Sequence, residues 1–346
     1  MLNLISSERL KSYEKILKIT DEKQKIMAYQ WSKGLVSSIL PALQCLEISL
    51  RNAINYNVIN NKPRAGKFTH DDFWFKSLSQ YHTRKTQQNQ IRKQNTRLRK
   101  NEITSQKHAE IIKQIRREKS WEEREILKTE VKLRRLKGTA PSHDDIISGL
   151  TFGFWTNLLS KSYEDASQEQ LWPNLINEIF PNLPDIITRK TKAEQREYVE
   201  KRIKYIRDFR NRIVHHEPIW KFFNSDDSGK TNYRDPIYGV NASLSILNKV
   251  YNDILEIISW MSLDRLNTLR EHDTTVAFLT LCTKDGLNSY IKPENLKYSY
   301  NKSQVKRRKK QIKKSVIEEN RIIRITKDEE TLLFIDKRNI AMIDLI

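Results

Sequence analysis

Apolar positions recur at helical spacing through most of the chain. From Ala28 to Val58, Leu35, Ile39, Leu43, Leu46, Leu50, Ile54 and Val58 fall mostly three or four apart, which aligns them on one face of a helix. Pro41 stands inside this run. A proline removes a donor and crowds the preceding turn, so a kink or break is expected near it. Upstream, residues 7–31 read as a polar helix opened by Ser6 or Ser7, a turn, and the start of a second helix. Asn60 to Thr69 has loop composition, and Trp74 and Phe75 after it are expected to pack onto a bundle.

A second apolar block follows Gly138 and Pro141, a helix-stop pair. Ser142 with Asp145 three residues on is close to a capping box. The helix it opens carries Ile146, Ile147, Leu150, Phe152, Phe154, Trp155, Leu158 and Leu159, apolar almost all round, as a central bundle helix would be. Gly149 and Gly153, four apart, would let a neighbouring helix approach closely. Residues 170–190 read as a short helix and a proline-punctuated loop, and Ala193 to Val214 as a helix stopped before Pro218. Residues 221–236 read as an exposed loop and 240–272 as one long helix. The tail holds three β-branched runs (Ile322–Ile325, Thr331–Ile335 and Ile340–Ile343) with charged turns between them, which predicts a small β-element.

Charge changes the picture between these blocks. Residues 84–137 hold 18 Lys and Arg against 7 Glu and no Asp, part of a net charge of +20 for the 346-residue chain. With no Pro or Gly, the segment favours long helix. A hairpin with arms of roughly 25 residues would reach about 35 Å. The predicted fold is therefore mainly α: a helical bundle with an inserted basic helical hairpin and a small C-terminal β-containing element. Its segments are 1–83, 84–137, 138–272 and 273–346. The excess of positive charge points to a polyanion, of which nucleic acid is the commonest. Arg92, Lys93, Arg97, Arg99, Lys100, Arg116, Arg117, Arg134 and Arg135 on the arm are the expected RNA-binding residues. Lys306, Arg307, Arg308, Lys309 and Lys310 in the tail join them. A solvated, salt-bridged helix pair with no partner is the alternative.

Other classes recede. Cys45 and Cys282 are far apart and lack metal spacing, so a reducing cytoplasm is the expected location. No run of 18 apolar residues predicts a membrane helix, and Met1 to Lys11 does not read as a signal peptide. H-E-x-x-H, the P-loop and G-x-G-x-x-G are all missing, and His70, His82, His108 and His272 are scattered. No metal and no cofactor is expected.

The informative stretch runs from Tyr205 to Pro218. Arg210 and Asn211 are followed by His215, giving R-N-x-x-x-H near a helix end. Asn211 and His215, four apart, face the same way, and Arg207 shares their stripe. Arg210 and His215 are about 140° apart on a straight helix. They converge only if the helix distorts at its end or the site combines two helices. These residue types suit RNA cleavage without a metal. A neutral imidazole can take the proton of a ribose 2′-hydroxyl, and an imidazolium can protonate the leaving 5′-oxygen. A guanidinium can hold the phosphate and offset the charge added in the transition state. Asn211 can orient either. The same residues also suit a helix cap beside surface ion pairs, and His216 next door offers a second imidazole.

The run FRNRIVHHEPIW (209–220), preceded by SHDDIISGLTFGFWTNLLS (142–160) and ALQCLEISLRN (42–52), resembles the Abi-like (abortive infection) family of bacterial HEPN proteins. These blocks span most of residues 28–260. The resemblance implies a HEPN-type bundle, metal-independent endoribonuclease activity and an antiphage, toxin-like role. It also implies Arg210, Asn211 and His215 as catalytic positions, a site formed between two such domains, and for some relatives a structured noncoding RNA partner. Its cleavage motif is shared with RNA-guided CRISPR effectors. Two features depart from the pattern. Glu47, Arg51 and Asn52 look like a second R-N element, yet no histidine follows at 55–57, so a homodimer pairing two copies of Arg210 and His215 is the simpler geometry. Glu47 and Arg51 are expected to form an internal ion pair. The second departure, the long basic arm, suits a large folded RNA bound through its backbone. The competing reading is a non-catalytic RNA-binding scaffold. A DNA-binding regulator would need a helix-turn-helix, which the sequence does not show.

Overall fold

The apolar stripe of residues 28–58 forms one helix, and Pro41 does not end it. In this computed structural model α2 runs from Glu22 to Asn60, with Leu35, Ile39, Leu43, Leu46, Leu50, Ile54 and Val58 all buried. The proline deprives the Ser37 carbonyl of its usual donor. Ser37 and Leu40 are exposed, so water can satisfy that carbonyl and the stripe continues. The structure describes residues 5–60, 71–164, 170–225, 231–296, 298–319, 321–327 and 330–345. Most of the loop expected after Asn60, and with it His70, lies outside the described residues, as do 226–230.

The protein is mainly α-helical. Preceded by α1 (Ser7–Leu17), α2 is followed by α3 (Trp74–Arg99), α4 (Ser105–Ile115), α5 (Trp121–Lys137), α6 (His143–Gly149), α7 (Phe152–Asn157), α8 (Ile176–Ile179), α9 (Asp185–Thr188) and α10 (Lys192–Val214). After these come α11 (Val240–Met261), α12 (Leu263–Arg270), α13 (Asp273–Leu281), α14 (Lys284–Ile291), α15 (Lys302–Glu319) and α16 (Met342–Leu345). The chain divides into two compact units, Glu47–Arg207 and Met1–Leu46 with Asp208–Ile346.

In the 47–207 unit the basic segment makes three helices, not a two-armed hairpin. The outgoing arm begins at Trp74, and the return is broken between α4 and α5. Thr104 and Ser120 supply the breaks: each accepts the amide of the third residue on, Lys107 at 3.3 Å and Glu123 at 3.2 Å. Both return helices pack on α3. Thr83 donates to Glu123 at 2.8 Å and accepts the Ser120 amide at 3.0 Å, while Gln87 donates to the Glu118 carbonyl at 2.7 Å. The anchor of α3 is aromatic. Trp74, Phe75 and Trp155 are fully buried, with the Trp74 and Trp155 rings 6.5 Å apart. The Ser142–Asp145 capping box forms. The helix expected to follow it is split, because Leu150 is extended and Thr151 caps α7. Gly149 does allow a close approach: a Cβ there would lie 2.8 Å from Cγ2 of Thr129 on α5, whereas at Gly153 the nearest atom would be 3.5 Å away.

In the other unit, Trp31 donates to the Leu281 carbonyl at 2.9 Å, Tyr251 stacks on Phe278, and the Tyr13 and Trp220 rings lie 4.8 Å apart. The helix expected over 240–272 is two helices. Ser262 turns extended between them and its hydroxyl caps α12 at the Arg265 amide, 3.2 Å away. Part of the segment read as loop is antiparallel sheet, β1 (Phe223–Ser225) on β2 (Thr231–Pro236), with the Phe223 and Tyr233 rings 5.3 Å apart. At the C-terminus β3 (Ser299–Asn301) runs parallel to β4 (Ile323–Lys327), which pairs antiparallel with β5 (Glu330–Ile335). The sheet and α15 share a core of Val305, Ile312, Val316, Ile323, Ile325, Ile335 and Ile343. The third β-branched run is a turn and α16, not a strand.

Candidate ribonuclease motif at the end of α10

The last turns of α10 alternate buried and accessible positions. Phe209 and Ile213 are buried, Arg210 is half-buried, and Asn211 and His215 are exposed. Burial at four-residue spacing leaves Asn211 and His215 together on the accessible face. The His215 amide still donates to the Asn211 carbonyl at 3.0 Å, so the two stay one turn apart. Neither side chain has a hydrogen-bond partner among the described residues, whereas Arg210 is engaged.

The helix then closes in a Schellman arrangement. The Glu217 amide donates to the Arg212 carbonyl at 2.9 Å and the His216 amide to the Ile213 carbonyl at 3.0 Å, with His216 left-handed at φ 57°. A side chain the sequence reading passed over fixes this turn. Arg212 donates through Nη2 to the Pro218 carbonyl at 2.7 Å and also to that of Lys221. Its Nε lies 3.4 Å from the Glu217 carboxylate, and its guanidinium packs over the Phe222 ring. Its neighbour in a basic motif drew attention as the phosphate ligand; only the chain's return toward α10 shows that Arg212 is the clamp.

The remaining predicted residues fall elsewhere. Arg207 belongs to the 47–207 unit, where it donates to the buried Thr156 hydroxyl at 3.5 Å. Glu47, Arg51 and Asn52 lie on α2 in that same unit. Among the described residues Arg51 Nε donates to Asn52 Oδ1 at 3.3 Å, and Glu47 is engaged in an interaction of its own.

Arg92, Lys93, Arg97, Arg99, Lys100, Arg116, Arg117, Arg134 and Arg135 are all exposed on the three-helix arm. Arg97 is partly committed, bonding Gln94 at 3.2 Å with Glu102 at 3.5 Å. In α15, Lys306, Arg307, Arg308 and Lys310 are exposed, while Lys309 is half-buried and lies 3.4 Å from Asp344. The described residues contain no cluster of three His, Cys, Asp or Glu side chains that could hold a metal ion, and no helix among them is long and apolar enough to cross a membrane.

Fold and motif together define a mainly helical protein that displays a polar R-N-x-x-x-H end on one of its helices. The chain belongs to the Abi-like protein family, whose profile matches residues 2–221. The match covers α1 to α10 and the turn that Arg212 clamps. Comparison with curated proteins and with solved structures finds no match to the chain.

Proposed function

We propose that this protein is a HEPN-type endoribonuclease of an abortive-infection system, toxic to its own host when released and acting with or held in check by a structured noncoding RNA. The observation that carries the reading is the pairing of Asn211 and His215, exposed side chains with no described partner, one turn apart at a helix end made rigid by Arg212. Exposed polar groups without protein partners, beside an engaged arginine, are available to a ligand phosphate.

In the reaction His215 takes the proton from a ribose 2′-hydroxyl as its oxygen attacks the adjacent phosphorus. The bond from phosphorus to the 5′-oxygen breaks, and a protonated imidazole, supplied by His215 of a second copy, gives its proton to that oxygen. The products are a 2′,3′-cyclic phosphate and a 5′-hydroxyl, with no net change in protons. Arg210 offsets the charge gathered on the phosphoryl oxygens and Asn211 orients the reacting groups. The exposed cations of α3, α4, α5 and α15 hold the RNA backbone. Expression in a bacterial host tests the reading. Wild-type protein should arrest growth, and His215→Ala should abolish arrest while RNA still co-purifies. An equally toxic His215→Ala protein would exclude catalysis through this residue. A non-toxic wild-type chain that retains RNA would leave the scaffold reading.

A further inference from the structure

A second cationic feature lies beside the closing turn of α10, in the same compact unit. Arg9 of α1, Tyr29, Ser32 and Lys33 of α2, and His216 and Glu217 after α10 line one recess. Arg9 and Lys33 form no ion pair with a carboxylate among the described residues. Lys25 on the same α2 shows the contrast, since it bridges Glu14 at 3.2 Å and Glu22 at 2.5 Å. The carboxylate of Glu217 lies 3.4 Å from Arg212, so its charge is already met.

The partner the two cations do have is a phenol. The Lys33 ammonium sits 5.0 Å from the Tyr29 ring centroid. Burial pushes the Tyr29 phenol up, but hydrogen bonds and charges from Lys33 and Arg9 outweigh it and leave the phenol below its ordinary value. A group that ionises more readily despite burial reports positive potential around it. His216, left-handed at φ 57° where α10 closes, lines the wall of this recess.

We propose that this recess binds a phosphate of the RNA strand next to the one that is cut, through Arg9, Lys33 and the Tyr29 hydroxyl, with His216 closing it. Its place beside His215 in the chain rests on the ribonuclease reading; the anion site itself does not. The test uses the full-length protein carrying His215→Ala, so that RNA is bound without being cleaved, and measures affinity for a labelled single-stranded RNA across a salt series. Each phosphate contact to a single strand contributes about 0.7 to the slope of log K against log salt. Arg9→Ala with Lys33→Ala should therefore reduce that slope by about 1.4. Lys15→Ala with Lys23→Ala removes the same charge from exposed positions of α1 and α2 and should reduce it clearly less. Equal losses from both pairs would reduce the recess to diffuse charge and overturn the proposal. Inorganic phosphate, followed by phosphorus NMR, separates the sources. Phosphate binding that needs Arg9 and Lys33, with an unchanged RNA slope, would mark a free-phosphate site and also overturn it. If the alanine pair does not melt cooperatively, Arg9→Gln with Lys33→Gln takes its place. Cleavage is never read, so a failed nuclease assignment leaves this result standing.

Discussion

The two ends of α10 treat charge in opposite ways. Near its start Arg196 is only 4% exposed and is used up by the protein: Nε donates to Glu164 at 2.5 Å, and Nη1 donates to the Leu159 carbonyl at 2.8 Å and to Glu200. Thr191 and Glu194 cap the helix reciprocally, the Thr191 amide donating to the carboxylate at 2.9 Å and the Glu194 amide to the hydroxyl at 3.3 Å. At the other end Asn211 and His215 face solvent without partners among the described residues. Buried charge must be matched within the protein, and its removal is costly. Exposed polar groups cost little to leave unmatched and stay open to a ligand. One helix thus separates polar residues that build the fold from polar residues left open to solvent.

The contrast breaks if Arg196 proves dispensable. Arg196→Ala strands the Glu164 carboxylate and the Leu159 carbonyl, while Glu200 keeps Lys204, and should cost about 3–5 kcal/mol in urea unfolding; a loss below about 1 kcal/mol would remove the distinction. Arg212 lies between the extremes, at the motif end yet bonded to backbone. Arg212→Ala should cost about 1–3 kcal/mol by leaving carbonyls without donors and should reduce RNA cleavage as well. His215→Ala should change stability by no more than about 0.5 kcal/mol. Thr191→Ala should cost about 1 kcal/mol, and this cost depends on pH. Hydrogen bonds from the Thr191 side chain and backbone hold the Glu194 carboxyl below its ordinary 4.5. Its stabilisation is therefore complete above 4.5 and is lost as pH falls through the lowered value. Melting curves of wild type and Thr191→Ala should draw together on acidification. One effect is of opposite sign. His216→Gly relieves a left-handed residue and should raise stability by about 0.5–1 kcal/mol while weakening RNA binding. A stabilised variant with unchanged binding would make His216 a poor cap and nothing more.

Much of this was legible in the chain itself. The stripe of α2, the Ser142–Asp145 box and the span of α10 follow from local spacing and capping, and all three form. What escaped was set by less regular signals. Ser120, Thr151 and Ser262 each cap a new helix inside a segment read as continuous, because apolar periodicity persists across a short break. At Pro41, where a kink or break is expected, the helix does not break, and the Ser37 carbonyl that loses its donor lies at an exposed position. At the motif, Arg210, Asn211 and His215 stood out by residue type. Arg212 and Arg9 did not, because their partners, the Pro218 and Lys221 carbonyls and the Tyr29 phenol, lie outside any motif that residue type reveals.

The central claim is that the imidazole of His215 moves protons in cutting RNA. Incubating the purified protein with RNA in excess EDTA and analysing the new ends tests it most directly. The account predicts 2′,3′-cyclic phosphate and 5′-hydroxyl ends from wild type and none from His215→Ala, with the substituted protein still binding RNA. Cleavage that stops in EDTA and leaves 5′-phosphate ends, or persists unchanged in His215→Ala, would contradict it.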